Sequence, residues 1–384
     1  MDTKLRRARL DRQWSQVRLL SELQKRARDR GISLSSQASL KTAISRWENG
    51  HHTPQDPYRS LLVEIYETSP AALGLEPSGD TRPTAQLLVR SRLTPESLAV
   101  MNDLLATYAA ADNALGPWHL RQVVDQHVVQ LEASLGDVTS GLRSEALRLC
   151  SRFAEFAGWL AQDAGDLLAA QRWTDMSMDF VEEGDEVDQR SYVLMRKSGI
   201  AAERGEVGRS ISLAEAACRQ LDRVPPHLQV LALRQRAVSF ALIGNERESE
   251  DSGERALVAL SSARPGHEAL AYCTPAYLGM EAGLSAFHLG RLDVAASRLS
   301  AAAAEWPNGF TRDRGLCLSR LAVVEASRGD LELACSVGRG ALDVLQVADS
   351  ARMRGVLRNL SRLLAPYDQV AFISEFREEL AQLA

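Results

Sequence analysis

A glycine recurs in the middle of five similar segments, and this recurrence constrains the fold of the 384-residue chain more than any other feature of its sequence. In each segment a helix-forming stretch precedes the glycine and another follows it. Glycine ends a helix readily because it adopts positive φ without steric cost. Successive glycines are separated by 40, 39, 46 and 39 residues, at Gly165, Gly205, Gly244, Gly290 and Gly329.

Small residues occupy fixed positions around each of these glycines. The positions seven before, five after and twelve after hold only Gly, Ala or Ser in all five segments. Two antiparallel helices joined by a tight turn pack closely only where both present small side chains. The pattern therefore predicts an all-α chain with stacked helical hairpins over residues 141–345. An Ala-rich bundle without repeat order is the alternative.

The spacing and the small columns resemble the tetratricopeptide repeat. The resemblance implies an α-solenoid, with 94–140 as a connecting helical hairpin and 346–384 as capping helices. It also implies a concave groove that could hold a peptide, a small molecule or a protein partner, although the near absence of Asn from the repeats argues against a peptide clamp. The implied groove residues are Arg152, Glu155, Trp159, Gln162, Tyr192, Met195, Arg234, Tyr277, Met280 and Phe287. The alternative is that these side chains belong to the hydrophobic core.

Charge is distributed unevenly along the chain. Residues 1–60 contain 13 Lys/Arg and 6 Asp/Glu, whereas the whole chain has a formal net charge of −5. Such a basic segment joined to an acidic remainder is typical of a nucleic-acid-binding module fused to another domain. Only four of the 45 basic residues are lysine, and this arginine bias is typical of GC-rich bacterial genomes such as those of actinomycetes.

Apolar spacing within residues 5–65 is helical and predicts a pair of helices near the middle of this segment. Ser15 is placed to cap the first helix, which is expected to end at Gly31. The second is expected to run from about Ser39 to Asn49–Gly50. A Pro- and Gly-containing stretch within 77–93 follows this domain and is predicted to be a linker.

The strings "WSQ" and "ISRWENGHHTP" resemble the XRE family of phage-repressor-type helix-turn-helix proteins over about residues 3–76. The resemblance implies that the second helix enters the major groove of double-stranded DNA. Ser15 and Glu48 lie 33 residues apart, roughly fourteen more than in the compact motif, which predicts a longer first helix or an expanded turn. The implied DNA contacts are Lys41, Thr42, Ser45 and Arg46 at the bases and Gln16 at a phosphate.

The leading hypothesis is a homodimeric, sequence-specific transcriptional regulator of the bacterial cytoplasm and nucleoid, whose helical-repeat body senses a ligand or partner. The alternative is a tetratricopeptide-repeat scaffold that binds proteins and does not read DNA. No catalytic, cofactor or metal motif is present, because the five cysteines are scattered and the histidines lack ligand or triad spacing. No apolar run approaches the roughly 20 residues of a membrane span, and no secretory signal is expected.

Overall fold

The structure is a computed structural model of the chain. It describes residues 3–12, 14–30, 37–48, 54, 58–66, 68, 72–75, 93–263, 272–307 and 309–383. Within these ranges the chain is helical with short connections and has no strand, which confirms the predicted all-α class. The chain divides into two compact units, Met1–Val89 and Arg90–Ala384. The predicted linker lies outside the described residues apart from Leu93.

The first unit contains four described helices. Ser15 accepts a hydrogen bond from the Arg18 N–H at 3.1 Å, which confirms its predicted capping role. Helix α2 packs against α3 and α4, and α1 packs against α3. Their shared core is apolar and includes Leu5, Leu19, Leu23, Leu40, Ile44, Trp47, Leu61 and Ile65. The helices span Lys4–Asp11 (α1), Gln16–Asp29 (α2), Gln37–Glu48 (α3) and Tyr58–Tyr66 (α4).

The second unit begins with α5 (Pro95–Leu115) and α6 (Arg121–Ser134). Thr94 caps α5, because its side chain accepts a hydrogen bond from the Ser97 N–H, and Pro95 occupies the first turn. Helix α5 packs against α7, and α6 packs along the same helix. These elements cover the outer side of the first repeat hairpin.

Five helical hairpins follow, each formed by two consecutive helices that pack against each other. Neighbouring hairpins also contact each other through their first helices, since α9 packs against α11 and α11 against α13. The pairs are α7 (Ser140–Asp163) with α8 (Leu167–Gly184), α9 (Val187–Glu203) with α10 (Val207–Ala217), α11 (Pro226–Ala241) with α12 (Glu246–Ser262), α13 (Pro275–His288) with α14 (Leu292–Ala304), and α15 (Thr311–Arg328) with α16 (Leu331–Val347).

The five predicted glycines stand in the turns of these hairpins. Their φ angles lie between +71° and +89°, in the left-handed region that an L-residue adopts only with strain. The small residues around them are all buried. A methyl group added at Gly158 would lie 2.7 Å from Thr174 Oγ1, and one added at Gly283 would lie 2.6 Å from Leu299 Cγ. The predicted helix–glycine–helix units and their close contacts are therefore confirmed.

Two further helices complete the described chain, α17 (Ala351–Leu364) and α18 (Ala371–Leu383). Phe376 of α18 is fully buried against Gly338 of α16, so α18 covers an apolar face that α16 would otherwise expose. Helix α17 also contacts α7, and α15 contacts α5. Helices near the two ends of the second unit, α5 and α7 at one end and α15 and α17 at the other, therefore meet.

None of the helices in the described ranges has both the length and the apolar content that crossing a bilayer requires.

Candidate functional site

The carboxylate of Glu48 holds three segments of the first unit together. Glu48 is the last residue of α3, and its side chain is 1 % exposed. Arg9 of α1 donates to both of its oxygens, at 2.5 and 2.9 Å, and Gln16 of α2 donates to Oε2 at 2.8 Å. The hydrogen bond to Glu48 raises the pKa of Arg9 against the opposing effect of its burial. The end of α3 is thus fixed beside the start of α2.

The residues with implied DNA contacts are placed differently from one another. Gln16 uses its amide nitrogen on Glu48, so this group has an internal partner in addition to any phosphate it meets. Lys41 is exposed and Ser45 is half-buried on α3. Thr42 and Arg46 belong to the same helix, but their side chains lie outside the described residues.

The inward face of α3 is apolar. Leu40, Ile44 and Trp47 are buried at helical spacing and define it. At 100° per residue, Lys41 and Ser45 lie outside this face. Contact of the implied residues with DNA stays a prediction.

Arg12 performs a structural role at the edge of this unit. Its guanidinium donates to the backbone oxygens of Ile65 and Tyr66, at 2.7 and 2.9 Å, at the carboxyl end of α4. It also lies 5.2 Å from the centroid of the Trp14 ring and 5.0 Å from that of Tyr66. A cation is favourable there because the last carbonyls of a helix carry partial negative charge. Arg12 therefore fixes α4 rather than standing free for an anion.

The ten groove residues implied by the repeat resemblance lie inside the second unit, and none of them is exposed. Met195, Tyr277 and Met280 belong to an apolar core cluster, and Tyr192 and Phe287 pack against it. The buried residues are Glu155, Gln162, Met195, Tyr277 and Met280, and the half-buried ones are Arg152, Trp159, Tyr192, Arg234 and Phe287.

Trp159 is the centre of the polar interior. Its indole Nε1 donates to Asp112 Oδ2 at 2.8 Å. Three guanidinium groups lie over its ring, at 5.1 Å for Arg196, 5.9 Å for Arg312 and 5.2 Å for Arg352. Cation–π attraction strengthens where water is excluded, so this ring stabilises charges contributed by three different helices.

Arg196 ties two of the implied groove residues together. Its Nε donates to Glu155 Oε1 at 2.6 Å and its Nη2 to Gln162 Oε1 at 2.8 Å. The amide of Gln162 in turn donates to Glu203 Oε1 at 2.7 Å. These contacts satisfy the polar groups internally, which favours the core interpretation for Glu155 and Gln162.

A second charged group links three successive hairpins. Glu281 of α13 accepts from Arg234 of α11 at 3.2 Å and from Arg320 of α15 at 2.7 Å. Burial alone would raise the pKa of Glu281, but the two arginines lower it to about 2. Arg234 also lies 5.3 Å from the Tyr277 ring centroid and donates to Met195 Sδ at 3.5 Å. Three of the implied groove residues, Met195, Arg234 and Tyr277, are thus brought to one place.

Arg312, Asp112 and Asp163 form a buried cluster where α15 meets α5 and α7. Arg312 Nη1 lies 2.9 Å from Asp112 Oδ1 and 3.1 Å from Asp163 Oδ2, and Ser350 donates to Asp163 Oδ1 at 2.7 Å. Although burial opposes its charge, its hydrogen bonds to Asp112 and the negative field of both carboxylates raise the pKa of Arg312. Burial raises the pKa of Asp163 despite these partners.

Sequence reasoning missed both this cluster and the role of Glu48. The available signal was a charged residue on an otherwise apolar helix face. Glu48 follows Ile44 by four residues, and Asp112 follows the buried Leu105 by seven. A charged residue on an apolar helix face predicts a buried ion pair, but it does not identify the partner residue.

Two observations on the described residues concern metal binding and thiol reactivity. No group of three or more His, Cys, Asp or Glu side chains in those ranges is arranged to hold a metal ion. Burial raises the pKa of Cys150 and of Cys317 to about 12, which keeps both thiols protonated and poorly nucleophilic.

Comparison with known proteins adds no assignment. No protein-family model matches the chain, and no curated protein shows significant sequence similarity to it. The function must therefore be argued from the geometry described above.

Proposed function

We propose that the chain is a double-stranded-DNA-binding transcriptional regulator. In this proposal the first unit is an XRE-type helix-turn-helix domain formed by α2 and α3. The second is a tetratricopeptide-like solenoid that dimerises and senses a ligand or partner. A dimer is required because one small reading domain has too little interface for operator specificity.

The observation that carries the proposal is the anchoring of α3 by Glu48. A helix that reads DNA bases must be held rigidly, because a displacement of about 1 Å at a hydrogen-bonding side chain breaks its hydrogen bond to the base. Glu48 ties the end of α3 to Arg9 and Gln16 through three hydrogen bonds. The exposed Lys41 and its neighbours on α3 are thus held on a fixed support.

The charge of the first unit also supports the proposal. Met1–Val89 contains 14 Lys/Arg and 10 Asp/Glu, whereas Arg90–Ala384 contains 31 and 40. A net positive unit attracts the phosphate backbone, and a net negative one is repelled by it. DNA therefore favours the first unit over the second on charge alone.

The helical hairpins of the second unit support a repeat body. Five hairpins with glycine turns pack in sequence order, as nearest-neighbour stacking requires. Their interior contains two sets of charged side chains, one around Trp159 and one around Glu281. The charges in each set are paired between helices of successive hairpins. A ligand that competes for one of these ion pairs would alter the packing between hairpins, and such a change could be passed to a dimer mate.

A mobility-shift assay on the promoter of the protein's own gene tests the DNA-binding role. The Lys41→Ala/Arg46→Ala variant removes two implied base contacts, each worth about 1–3 kcal/mol, so binding should weaken by about tenfold or more. The matched control is Arg18→Ala/Arg30→Ala, which also removes two charges, but from residues already paired with Glu22 and Glu64. Circular dichroism verifies that both variants are folded.

The outcomes separate the two candidate functions. Selective loss of the promoter complex in the Lys41/Arg46 variant supports a DNA-reading regulator. Equal binding by both variants, or no binding by the wild-type protein, contradicts it and favours a scaffold that binds proteins through its repeats.

A further inference from the structure

The second half of α2 carries three exposed basic side chains. Lys25, Arg26 and Arg28 are exposed, and in the part of the chain that the structure describes none of them meets a carboxylate at ion-pair distance. Arg28 Nε makes one long contact of 3.4 Å, to the backbone oxygen of Gln24. These charges are therefore available to an external anion.

The basic residues on either side of this group are neutralised. Arg18 Nη2 lies 2.7 Å from Glu22 Oε1, and Arg30 is paired with Glu64 of α4. Positive charge is thus compensated near both ends of α2, whereas Lys25 and Arg28 have no carboxylate partner among the described side chains, which do not include that of Asp29.

Helical geometry directs these side chains away from the core. Leu19, Leu23 and Ala27 are buried and define the inner stripe of α2. At 100° per residue Lys25 lies opposite that stripe, Arg28 lies beside Lys25, and Arg26 lies at the stripe's edge. Lys25 and Arg28 therefore share one outward surface, which we name the α2 basic face.

We propose that the α2 basic face is a second phosphate-contact surface, which binds the DNA backbone while α3 reads the bases. The inference rests on the proposed function. The 33 residues from Ser15 to Glu48 give room for the extra turns of α2 on which this face stands. Phosphate contacts carry no sequence information, so this face would add affinity and fix register on the duplex without changing operator choice.

The salt dependence of binding measures this role directly. Each phosphate neutralised by a Lys or Arg adds about 0.9 to the slope of log K against log salt concentration. The full-length Lys25→Gln/Arg28→Gln variant should therefore lose about 1.8 from the slope on a double-stranded oligonucleotide of arbitrary sequence. The Arg18→Gln/Arg30→Gln variant removes the same net charge and should lose less than about 0.5, because those arginines are already paired.

The outcomes distinguish failure of this inference from failure of the proposed function. If the wild-type protein binds DNA and both variants keep its slope, the α2 basic face does not contact phosphate, although the regulator proposal stands. Equal slope losses in both variants indicate a general charge effect and also overturn the inference. If the wild-type protein binds no duplex, both proposals fail. If Lys25 and Arg28 only stabilise α2 through its helix dipole, the Lys25→Gln/Arg28→Gln variant should have a lower melting temperature and an unchanged slope of log K against log salt concentration, which also overturns the inference.

Discussion

Each buried charged residue in this chain requires a hydrogen-bonding partner of opposite charge, and the fold must place that partner beside it. Glu48 illustrates this in the first unit. A carboxylate removed from water is strongly unfavourable unless it is paired and hydrogen-bonded, and Arg9 and Gln16 provide both conditions. Its contribution is therefore to position helices rather than to add net stability.

Glu48→Gln should destabilise the first unit by about 3–5 kcal/mol, because it leaves the buried Arg9 guanidinium without its counter-ion. Hydrogen exchange measured by mass spectrometry should show faster exchange along α3. The control is Glu22→Gln, which breaks an exposed pair with Arg18 and should cost less than about 1 kcal/mol. Unchanged protection of α3 in the Glu48 variant would contradict the anchoring role.

Asp125 on α6 should make the second unit less stable as pH rises from about 4 to neutral. Burial raises the pKa of Asp125 to about 6, with Arg121 opposing the shift and Asp166 adding to it. Since the folded state holds this proton more tightly, its contribution to stability is complete below about pH 4 and is lost as pH rises through about 6. The side chain is half-buried, so we expect about 1–2 kcal/mol rather than the full linkage value.

Denaturant unfolding of the wild-type protein and of Asp125→Asn between pH 4 and pH 7 tests this expectation. The free energy of unfolding of the wild-type protein should fall relative to that of the variant as pH rises across the window. A difference that rises with pH, or stays flat, would show that Asp125 has an ordinary pKa in the folded protein.

At the scale of helices, close approach within each hairpin is the controlling feature. Gly158→Ala should destabilise the second unit by about 1–3 kcal/mol, because the new methyl group would meet Thr174 Oγ1 at 2.7 Å and the backbone oxygen of Ala170 at 3.2 Å. Gly208→Ala on α10 is the matched control, since nothing lies within 4 Å of its methyl position. That variant should gain up to about 1 kcal/mol from helix propensity.

Thermal unfolding should show a lower melting temperature for Gly158→Ala and a higher one for Gly208→Ala if this description of the hairpins is correct. Equal shifts of the melting temperature in the same direction would mean that the small columns of the sequence do not reflect close packing of α7 on α8.

The helices were largely predictable from sequence because their signals are local. Turn glycines, small columns and the cap at Ser15 act within a few residues of each element, and all are confirmed. The candidate site was less predictable because its partners are distant in sequence. Asp112 and Arg312 are separated by 200 positions, and no spacing rule connects them. Whether Lys41 and Ser45 contact DNA stays a prediction.

At the scale of the whole molecule, the chain consists of two units with different construction and opposite net charge. In the second unit α5 and α7 meet α15 and α17 at a seam, where Arg312 is 4 % exposed and pairs with Asp112 and Asp163. This closure makes the hairpins of the second unit interdependent, because opening one end would expose charges that are paired only at the seam.

Arg312→Ala should therefore destabilise the second unit by about 3–5 kcal/mol, because two buried carboxylates lose their counter-ion. Urea unfolding measures this loss, and hydrogen exchange should locate the first opening at α5 and α15. Arg291→Ala serves as the control, since Arg291 pairs with Glu246 and Glu250 at an exposed position and should contribute less than about 1 kcal/mol. A similar midpoint shift in both variants would contradict a seam held by Arg312.

The central claim is that the first unit reads double-stranded DNA as half of a dimer, and selection from a pool of random duplexes tests it most directly. We predict enrichment of a two-fold symmetric sequence whose half-sites are separated by about one helical turn, or a multiple of it, and loss of that enrichment in Lys41→Ala/Arg46→Ala. Recovery of no common sequence by the folded wild-type protein, at salt concentrations where non-specific binding is suppressed, would contradict the claim.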